Sequence, residues 1–244
     1  MTEKKSIIDR VLEEQHRRKK EEFEQQERER QEENIRQSNL QSYIHQVLGT
    51  LERSKPEYNP RGLWLGSVKW SISSTSNSII AIAKNGLTRK SLAISVTSTD
   101  HLSLADCNDH LGSMARRAVQ EGDLFYMCTC IIAKHYDETV PKVFTAHKHH
   151  AISAILYNLD QHTLIYNEEN WNTWYYSHWF DPKKQPLQMI DLLLTISDDH
   201  QVFTVEKLKT RFHFDEREAD RMLNQLMEQH LIMRMKRGEY GVIQ

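Results

Sequence analysis

The segment Asp215–Glu228, with the sequence DEREADRMLNQLME, predicts an amphipathic helix. Its apolar side chains recur at the spacing that places them on one helix face. These side chains are Ala219, Met222, Leu223, Leu226 and Met227. Asp215 stands three residues before Glu218, a variant of the capping box that marks a helix start. The helix therefore needs another surface to cover its apolar face.

The flanking residues predict two earlier helices and a later hairpin. After Pro186, a first helix is indicated by Leu187, Ile190, Leu193 and Leu194. Thr204 follows a short extended piece and is placed to cap a second helix, whose inward residues are Val205, Leu208 and Phe212. Leu231–Lys236 alternates, Arg237-Gly238 signals a turn, and the return strand contains Tyr240, Val242 and Ile243.

The order helix, short strand, helix, helix, hairpin resembles the winged helix-turn-helix superfamily over residues 186–244. The resemblance implies that the third helix lies in a DNA major groove, with the hairpin, or wing, beside the phosphates. The implied nucleic-acid-binding residues lie on the polar face of that helix and on the wing. They are Arg217, Arg221, Asn224, Arg234, Lys236 and Arg237.

The charge of this segment leaves two partners open. Residues 186–244 contain 8 Lys and Arg residues and 10 Asp and Glu residues. A domain that depends on phosphate contacts is usually basic. Protein binding is therefore slightly favoured over sequence-specific DNA binding, while a local basic patch on the second helix and the wing keeps DNA as a possible partner.

Composition favours an intracellular protein. The 244 residues are 39% hydrophobic and 27% charged, with a formal net charge of −2, which favours neither a nucleic-acid coat nor a membrane-surface binder. The first residues have no signal-peptide pattern, and the longest apolar run, Leu124–Ala133, is too short to span a bilayer. Three cysteines favour a reducing compartment, cytoplasmic or nucleoid or nuclear.

Residues 1–55 predict a charged helical arm with an amphipathic end. Glu13–Asn34 is almost wholly charged or amide, and its lack of core positions argues against a homodimeric coiled coil there. The apolar patch before it is the predicted protein-partner site: Ile7, Ile8, Val11 and Leu12. A regular apolar stripe from Leu40 to Leu51 predicts packing either on the protein's own central domain, which is favoured, or on another subunit. Residues 56–61 predict a linker.

Residues 62–185 predict a central domain of mixed sheet and helices, so the fold class is α+β. Strands are expected at 63–72, 79–83, 92–97 and 124–133, with a helix at 105–120. Shorter strands are expected at 143–145, 151–157 and 162–166, although residues 147–156 are also compatible with a helix. The aromatic stripe of Trp171, Trp174, Tyr175 and Trp179 predicts a core or domain-junction contact.

Chemical motifs are weak. The glycines form no phosphate-binding loop, so the sequence predicts no cofactor and no small-molecule substrate. Cys128, Cys130, His147, His149 and His150 lack the spacing of a zinc site, and no metal is expected.

A metal-dependent nuclease remains an alternative, based on central-domain carboxylates and lysines. The residues are Asp100, Asp106, Asp109, Glu121 and Asp123, with Lys69, Lys84 and Lys90. Carboxylates near helix ends are more often caps or solvated groups, so no catalytic residue is predicted. The preferred hypothesis is a non-enzymatic, DNA-associated regulator or nucleoprotein-complex subunit, with a protein adaptor as the other alternative.

Overall fold

The protein is an α+β structure, as the sequence predicts. The computed structural model describes residues 7–57, 68–183, 203–212, 214–228 and 230–242. Its strands form a mixed six-stranded sheet, in the order β1-β2-β3-β4-β5-β6, and a three-stranded sheet, in the order β7-β9-β8.

Helix α1 (Ile7–Arg53) precedes strands β1 (Ser71–Ser74), β2 (Ser78–Lys84) and β3 (Ser91–Leu102). Helix α2 (Leu104–Glu121) leads to β4 (Phe125–Tyr136), and helix α3 (Val140–Ala146) leads to β5 (Ile152–Asn158). Strand β6 (Thr163–Tyr166) and helix α4 (Trp171–Ser177) follow. The C-terminal segment contains β7 (Phe203–Thr204), α5 (Val205–Phe212), α6 (Glu216–Glu228), β8 (Ile232–Lys236) and β9 (Glu239–Val242).

The three central strands are parallel because helices make the connections between them. Strand β3 pairs in parallel with β4, and β4 with β5, whereas the outer pairings are antiparallel. Helix α2 begins where the Ser103 hydroxyl accepts a hydrogen bond from the Asp106 backbone N–H at 3.1 Å. It ends at Gly122, whose φ of 85° favours glycine.

The six-stranded sheet is covered on both faces, as a buried parallel sheet requires. Alternate residues of β4 point to opposite faces. One set, with Tyr126, Cys128 and Cys130, packs in a core with the end of α1, with α4 and with the C-terminal segment. The other set packs against α2 and α3, where Cys107 and Phe144 are buried.

The amphipathic end of α1 lies against the first of these faces. Its buried residues are Leu40, Tyr43, Ile44, Val47 and Leu51. The Tyr43 hydroxyl donates a hydrogen bond to the Phe180 carbonyl at 2.7 Å, and it lies 3.9 Å from Cys130 Sγ. The Tyr43 ring stacks on Tyr157. The predicted packing of this stripe is therefore confirmed, and the surface is the protein's own sheet.

Several local predictions are wrong in instructive ways. Residues 143–145 belong to helix α3 rather than a strand, because Pro141 occupies the first helical turn, where its missing N–H costs nothing. The first strand begins at Ser71, and residues 68–70 form no strand. Residues 152–158 form a strand, so the helical alternative is wrong. The strand lies between β4 and β6, and all seven of its residues are buried because both faces of the sheet are covered there.

Some predicted features lie outside the described residues. These are the helix after Pro186, residues 58–61 of the linker, residues 63–67 of the first strand and Ile243. Pro56 and Glu57, also assigned to the linker, are buried. The Glu57 carboxylate accepts a hydrogen bond from the Tyr175 hydroxyl, and the Glu57 carbonyl accepts one from the Tyr176 hydroxyl at 2.9 Å. The start of this connection is therefore fastened to α4.

The buried Cys130 thiol predicts a loss of stability at alkaline pH. Burial raises the pKa of Cys130 from about 9 to about 12. Between these values the unfolded chain loses the thiol proton while the folded chain keeps it, so unfolding is favoured as the pH rises. This group should lower the free energy of unfolding by about 1.4 kcal/mol per pH unit in that range.

The measurement is urea unfolding of the wild type and Cys130→Ala at a series of pH values. The difference in the free energy of unfolding between the wild type and Cys130→Ala should be constant below about pH 9 and should shrink above it. Parallel pH profiles across the whole range would contradict the assignment.

Candidate functional site

A wide groove lies between helix α6 and the region of β6 and α4 beside the six-stranded sheet. Its volume is about 880 Å³. Six carboxylates line it: Glu168, Glu169, Asp215, Glu218, Asp220 and Glu228. The remaining lining residues are Tyr166, Trp171, Trp174, Arg217, Arg221, Asn224 and Gln225. We call this feature the acidic groove.

The wall formed by α6 follows from the pattern of its sequence. Its apolar residues Ala219, Met222, Leu223 and Leu226 are buried, as predicted, so the opposite face is turned to the groove. The predicted capping box is also present. The Asp215 N–H donates to Glu218 Oε2 at 3.1 Å, and the Glu218 N–H donates to Asp215 Oδ1 at 2.8 Å.

The opposite wall carries an aromatic surface at the start of α4. The Asn170 side chain caps this helix by accepting from the Thr173 N–H at 3.1 Å. The Trp171 and Trp174 rings lie side by side, with centroids 4.9 Å apart. Trp174 also approaches Phe214, at 6.4 Å between centroids. Trp174, Tyr175 and Trp179 are buried, so the predicted core contact of the aromatic stripe is confirmed at these rings.

Arg221 connects the two walls. Its guanidinium carbon lies 5.1 Å from the Trp174 ring centroid and 6.0 Å from that of Trp171, within range of a cation–π interaction. Burial lowers the pKa of Arg221, with a smaller contribution from Arg217 in the same direction. Nearby Glu168 and Tyr166 act in the opposite direction.

The predicted nucleic-acid-binding residues fall on two separate surfaces. Arg217, Arg221 and Asn224 all line the acidic groove, where carboxylates outnumber guanidinium groups by six to two. Arg234, Lys236 and Arg237 are exposed on the β8–β9 hairpin, and none of them lines the groove. Lys236 lies 4.0 Å from the Glu239 carboxylate. The two surfaces therefore differ in the sign of their charge.

A second polar centre, which we call the buried lysine centre, lies at the carboxyl ends of β3 and β4. Lys134 Nζ is 2.8 Å from Glu33 Oε1 on α1 and 2.9 Å from Asp100 Oδ1 on β3. The side chain of Lys134 is only 7% exposed. Hydrogen bonding to Glu33, with a smaller contribution from Asp100, raises the pKa of Lys134 against the opposing effect of burial. A cavity of about 350 Å³ adjoins these groups.

The nuclease alternative finds only one of its predicted residues in this centre, which is Asp100. Asp106 instead accepts a hydrogen bond from the Ser103 hydroxyl at the start of α2. Asp109 and Glu121 also lie on α2, and Asp123 follows it. Glu33 and Lys134 were not predicted to take part, because they are 101 positions apart and only the tertiary fold brings them together.

The cysteines and histidines of the rejected zinc site occupy different settings. Cys128 and Cys130 are buried in the core beneath α1. His147, His149 and His150 lie between α3 and β5, where the last two rings stack at 4.6 Å. Across the described ranges, no three His, Cys, Asp or Glu side chains are grouped to hold a metal ion.

The predicted partner-binding residues Ile7, Ile8, Val11 and Leu12 lie within α1. Their side chains fall outside the described part of the structure. The helix rises about 1.5 Å per residue, so Leu12 lies about 40 Å along the helix axis from Leu40, where α1 meets the core.

We expect Arg221 to stabilise the contact between the two walls of the groove. Arg221→Ala removes a half-buried cation–π interaction and should lower the free energy of unfolding by about 1–2 kcal/mol. Arg217→Ala, at an exposed position on the same helix, should change it by less than about 0.5 kcal/mol. Urea unfolding followed by tryptophan fluorescence measures the free energy of unfolding of both variants. An equal decrease in the two variants would show that the stacking of Arg221 on the tryptophans contributes nothing.

We expect Lys134 to hold α1 against the carboxyl ends of β3 and β4 rather than to stabilise the whole fold. Lys134→Met keeps the buried volume and removes the cost of burying a charge, so global stability should change by no more than about 1 kcal/mol. The Glu33 and Asp100 carboxylates, 55% and 88% exposed, then lose their shared cation.

Hydrogen exchange of the backbone amides at residues 24–39 should become faster in this variant. Lys84→Met, at an exposed lysine on β2, is the control and should leave the exchange unchanged. If both variants exchange like the wild type, the ion pairs do not hold the helix.

The chain matches no protein-family model, no curated protein and no solved structure. None of the described helices is both long and apolar enough to cross a membrane.

Proposed function

We propose that the protein is a non-enzymatic adaptor subunit of an intracellular nucleoprotein complex. Its C-terminal segment is a winged helix-turn-helix that contacts the nucleic-acid backbone through the β8–β9 wing. Its long charged helix α1 carries a second contact, to a protein partner, away from the core.

The order of the C-terminal elements supports the winged-helix interpretation. Strand β7 leads into α5, α6 follows, and β8 and β9 form the hairpin, with β9 pairing with both β7 and β8. Buried Leu208, Phe214 and Leu223 join α5, the connecting turn and α6 to one core. The expected first helix, after Pro186, lies in the part of the chain that is not described.

The exposure of the wing cations is the observation on which this proposal depends. Arg234, Lys236 and Arg237 are all exposed, and Lys236 has Glu239 as its neighbouring carboxylate. Exposed Arg and Lys side chains can reach phosphate oxygens and fix a duplex without reading its sequence. The face of α6 is a poorer phosphate contact, because Arg221 is stacked on Trp174 and carboxylates surround it.

The geometry of α1 supports a separate protein contact. The helix continues from the core through residues 24–39, most of which are exposed. Ile7, Ile8, Val11 and Leu12 form an apolar patch at its far end in the sequence. An apolar patch held about 40 Å from the core by a charged helix suits a partner protein better than the protein's own core.

A metal-dependent nuclease is the second candidate, favoured by the buried lysine centre. Asp100 and Glu33 converge on Lys134 beside a cavity, and carboxylates with a lysine are suited to a metal ion and a phosphate. The non-enzymatic proposal is preferred because both carboxylates are already engaged by the Lys134 ammonium.

The test is fluorescence anisotropy of the full chain with labelled duplex and single-stranded DNA at low and moderate salt. We expect salt-sensitive binding to duplex. Arg234→Ala combined with Arg237→Ala should weaken it and reduce the salt slope by about two, because two phosphate contacts are lost. Arg217→Ala in the acidic groove is the matched control and should leave binding unchanged.

Three outcomes would contradict the proposal. Absence of DNA binding at low salt would exclude the nucleic-acid contact and favour a protein adaptor that does not bind DNA. Loss of DNA binding in Arg217→Ala would show that the contact is on α6 rather than on the wing. Cleavage that requires Mg²⁺ and disappears in Asp100→Asn would establish the nuclease instead.

A further inference from the structure

We propose that the acidic groove binds an extended, arginine-bearing segment of a partner protein. The proposal concerns a surface distinct from the wing and does not depend on nucleic-acid binding. It follows from the charge of the groove, its aromatic wall and the spacing of the polar residues on α6.

The charge of the groove selects a cationic occupant. Glu168, Glu169, Asp220 and Glu228 are exposed at its rim. Glu169 has a neighbouring cation in Lys148, at 3.5 Å. The six carboxylates outnumber the two groove guanidinium groups and this lysine, so the surface has a net negative charge. Phosphate groups would be repelled there, whereas a cation gains from several carboxylates at once.

The aromatic wall favours guanidinium groups over other cations. Arg221 already places its guanidinium over Trp174 and Trp171, so this wall accepts the chemistry that the proposal requires. A planar guanidinium can stack on an indole while its N–H groups fork towards a carboxylate. A lysine ammonium lacks that planar geometry. The groove volume of about 880 Å³ exceeds what one side chain fills and leaves room for a peptide segment.

The polar row on α6 matches an extended peptide. Asp220, Asn224 and Glu228 are four residues apart and line the groove together. Successive members are about 6 Å apart along the helix axis. Alternate side chains of an extended chain are about 6.6 Å apart and point the same way. A segment with arginine at alternate positions can therefore follow this row, with its guanidinium groups directed into the groove between α6 and the aromatic wall.

The experiment uses the full chain and a fluorescein-labelled peptide in which arginine alternates with serine. An otherwise identical peptide with citrulline in place of arginine keeps the shape and removes the charge. We expect salt-sensitive binding of the arginine peptide, measured by anisotropy, and at least about tenfold weaker binding of the citrulline peptide. Binding should also change the fluorescence of the groove tryptophans.

The variant Asp220→Asn with Glu228→Gln removes two groove carboxylates and should weaken peptide binding about tenfold. The matched control, Glu121→Gln with Glu216→Gln, removes two exposed carboxylates outside the groove lining and should change affinity by less than about twofold. Equal weakening in both variants would assign the effect to net charge and overturn the site.

Other results also overturn the proposal. They are no peptide binding at low salt, equal affinity for the citrulline peptide, and displacement of the peptide by duplex DNA in the Arg234→Ala, Arg237→Ala background. Retained peptide binding in that wing variant, with DNA binding lost, is the expected result. Peptide binding without any DNA binding by the wild type would support the groove and refute only the proposed function.

Discussion

The fold depends on covering both faces of a sheet whose central strands are parallel. Strand β4 is buried over its first ten residues, so neither of its faces can meet water. Helices α2 and α3 cover one face because they connect β3 to β4 and β4 to β5. Among the elements that the structure describes, no crossover helix covers the other face, and the end of α1 lies there together with α4. This requirement places a helix that begins far outside the core in direct contact with the centre of the sheet.

Polar contacts fasten the segments that provide this cover. Tyr43 of α1 reaches the Phe180 carbonyl, and the Trp70 indole N–H donates to the Ser54 carbonyl at 3.1 Å. Buried Glu57 accepts a hydrogen bond from Tyr175. A buried carboxylate without a donor would be costly, so the position of α4 is coupled to the residues that follow α1. Since Trp171 and Trp174 lie on α4, the same contacts set one wall of the acidic groove.

The C-terminal segment presents two surfaces of opposite charge on one small core. Helix α6 turns its polar face towards β6 and α4, where Arg221 stacks on Trp174 and carboxylates outnumber cations. The β8–β9 hairpin turns Arg234 and Arg237 to solvent. The net charge of the segment is small and negative, but its cations and its carboxylates are concentrated on different surfaces. Each surface therefore accepts ligands of a different charge. Strand β8 also exposes Met233 and Met235, 46% and 59% accessible, at the edge of its sheet.

The sequence by itself determined the features that depend on neighbouring residues. The α+β class, helix α2, the capping box of α6 and the stripe of α1 all follow from local spacing and caps. The groove could not be predicted, because Trp174 and Arg221 are distant in sequence and meet only when α6 packs beside α4. The buried lysine centre could not be predicted either, because its residues come from α1, β3 and β4 and meet only in the folded chain. Periodicity identifies the face that each helix buries, whereas only the tertiary structure decides what its polar face meets, since that depends on packing between remote segments.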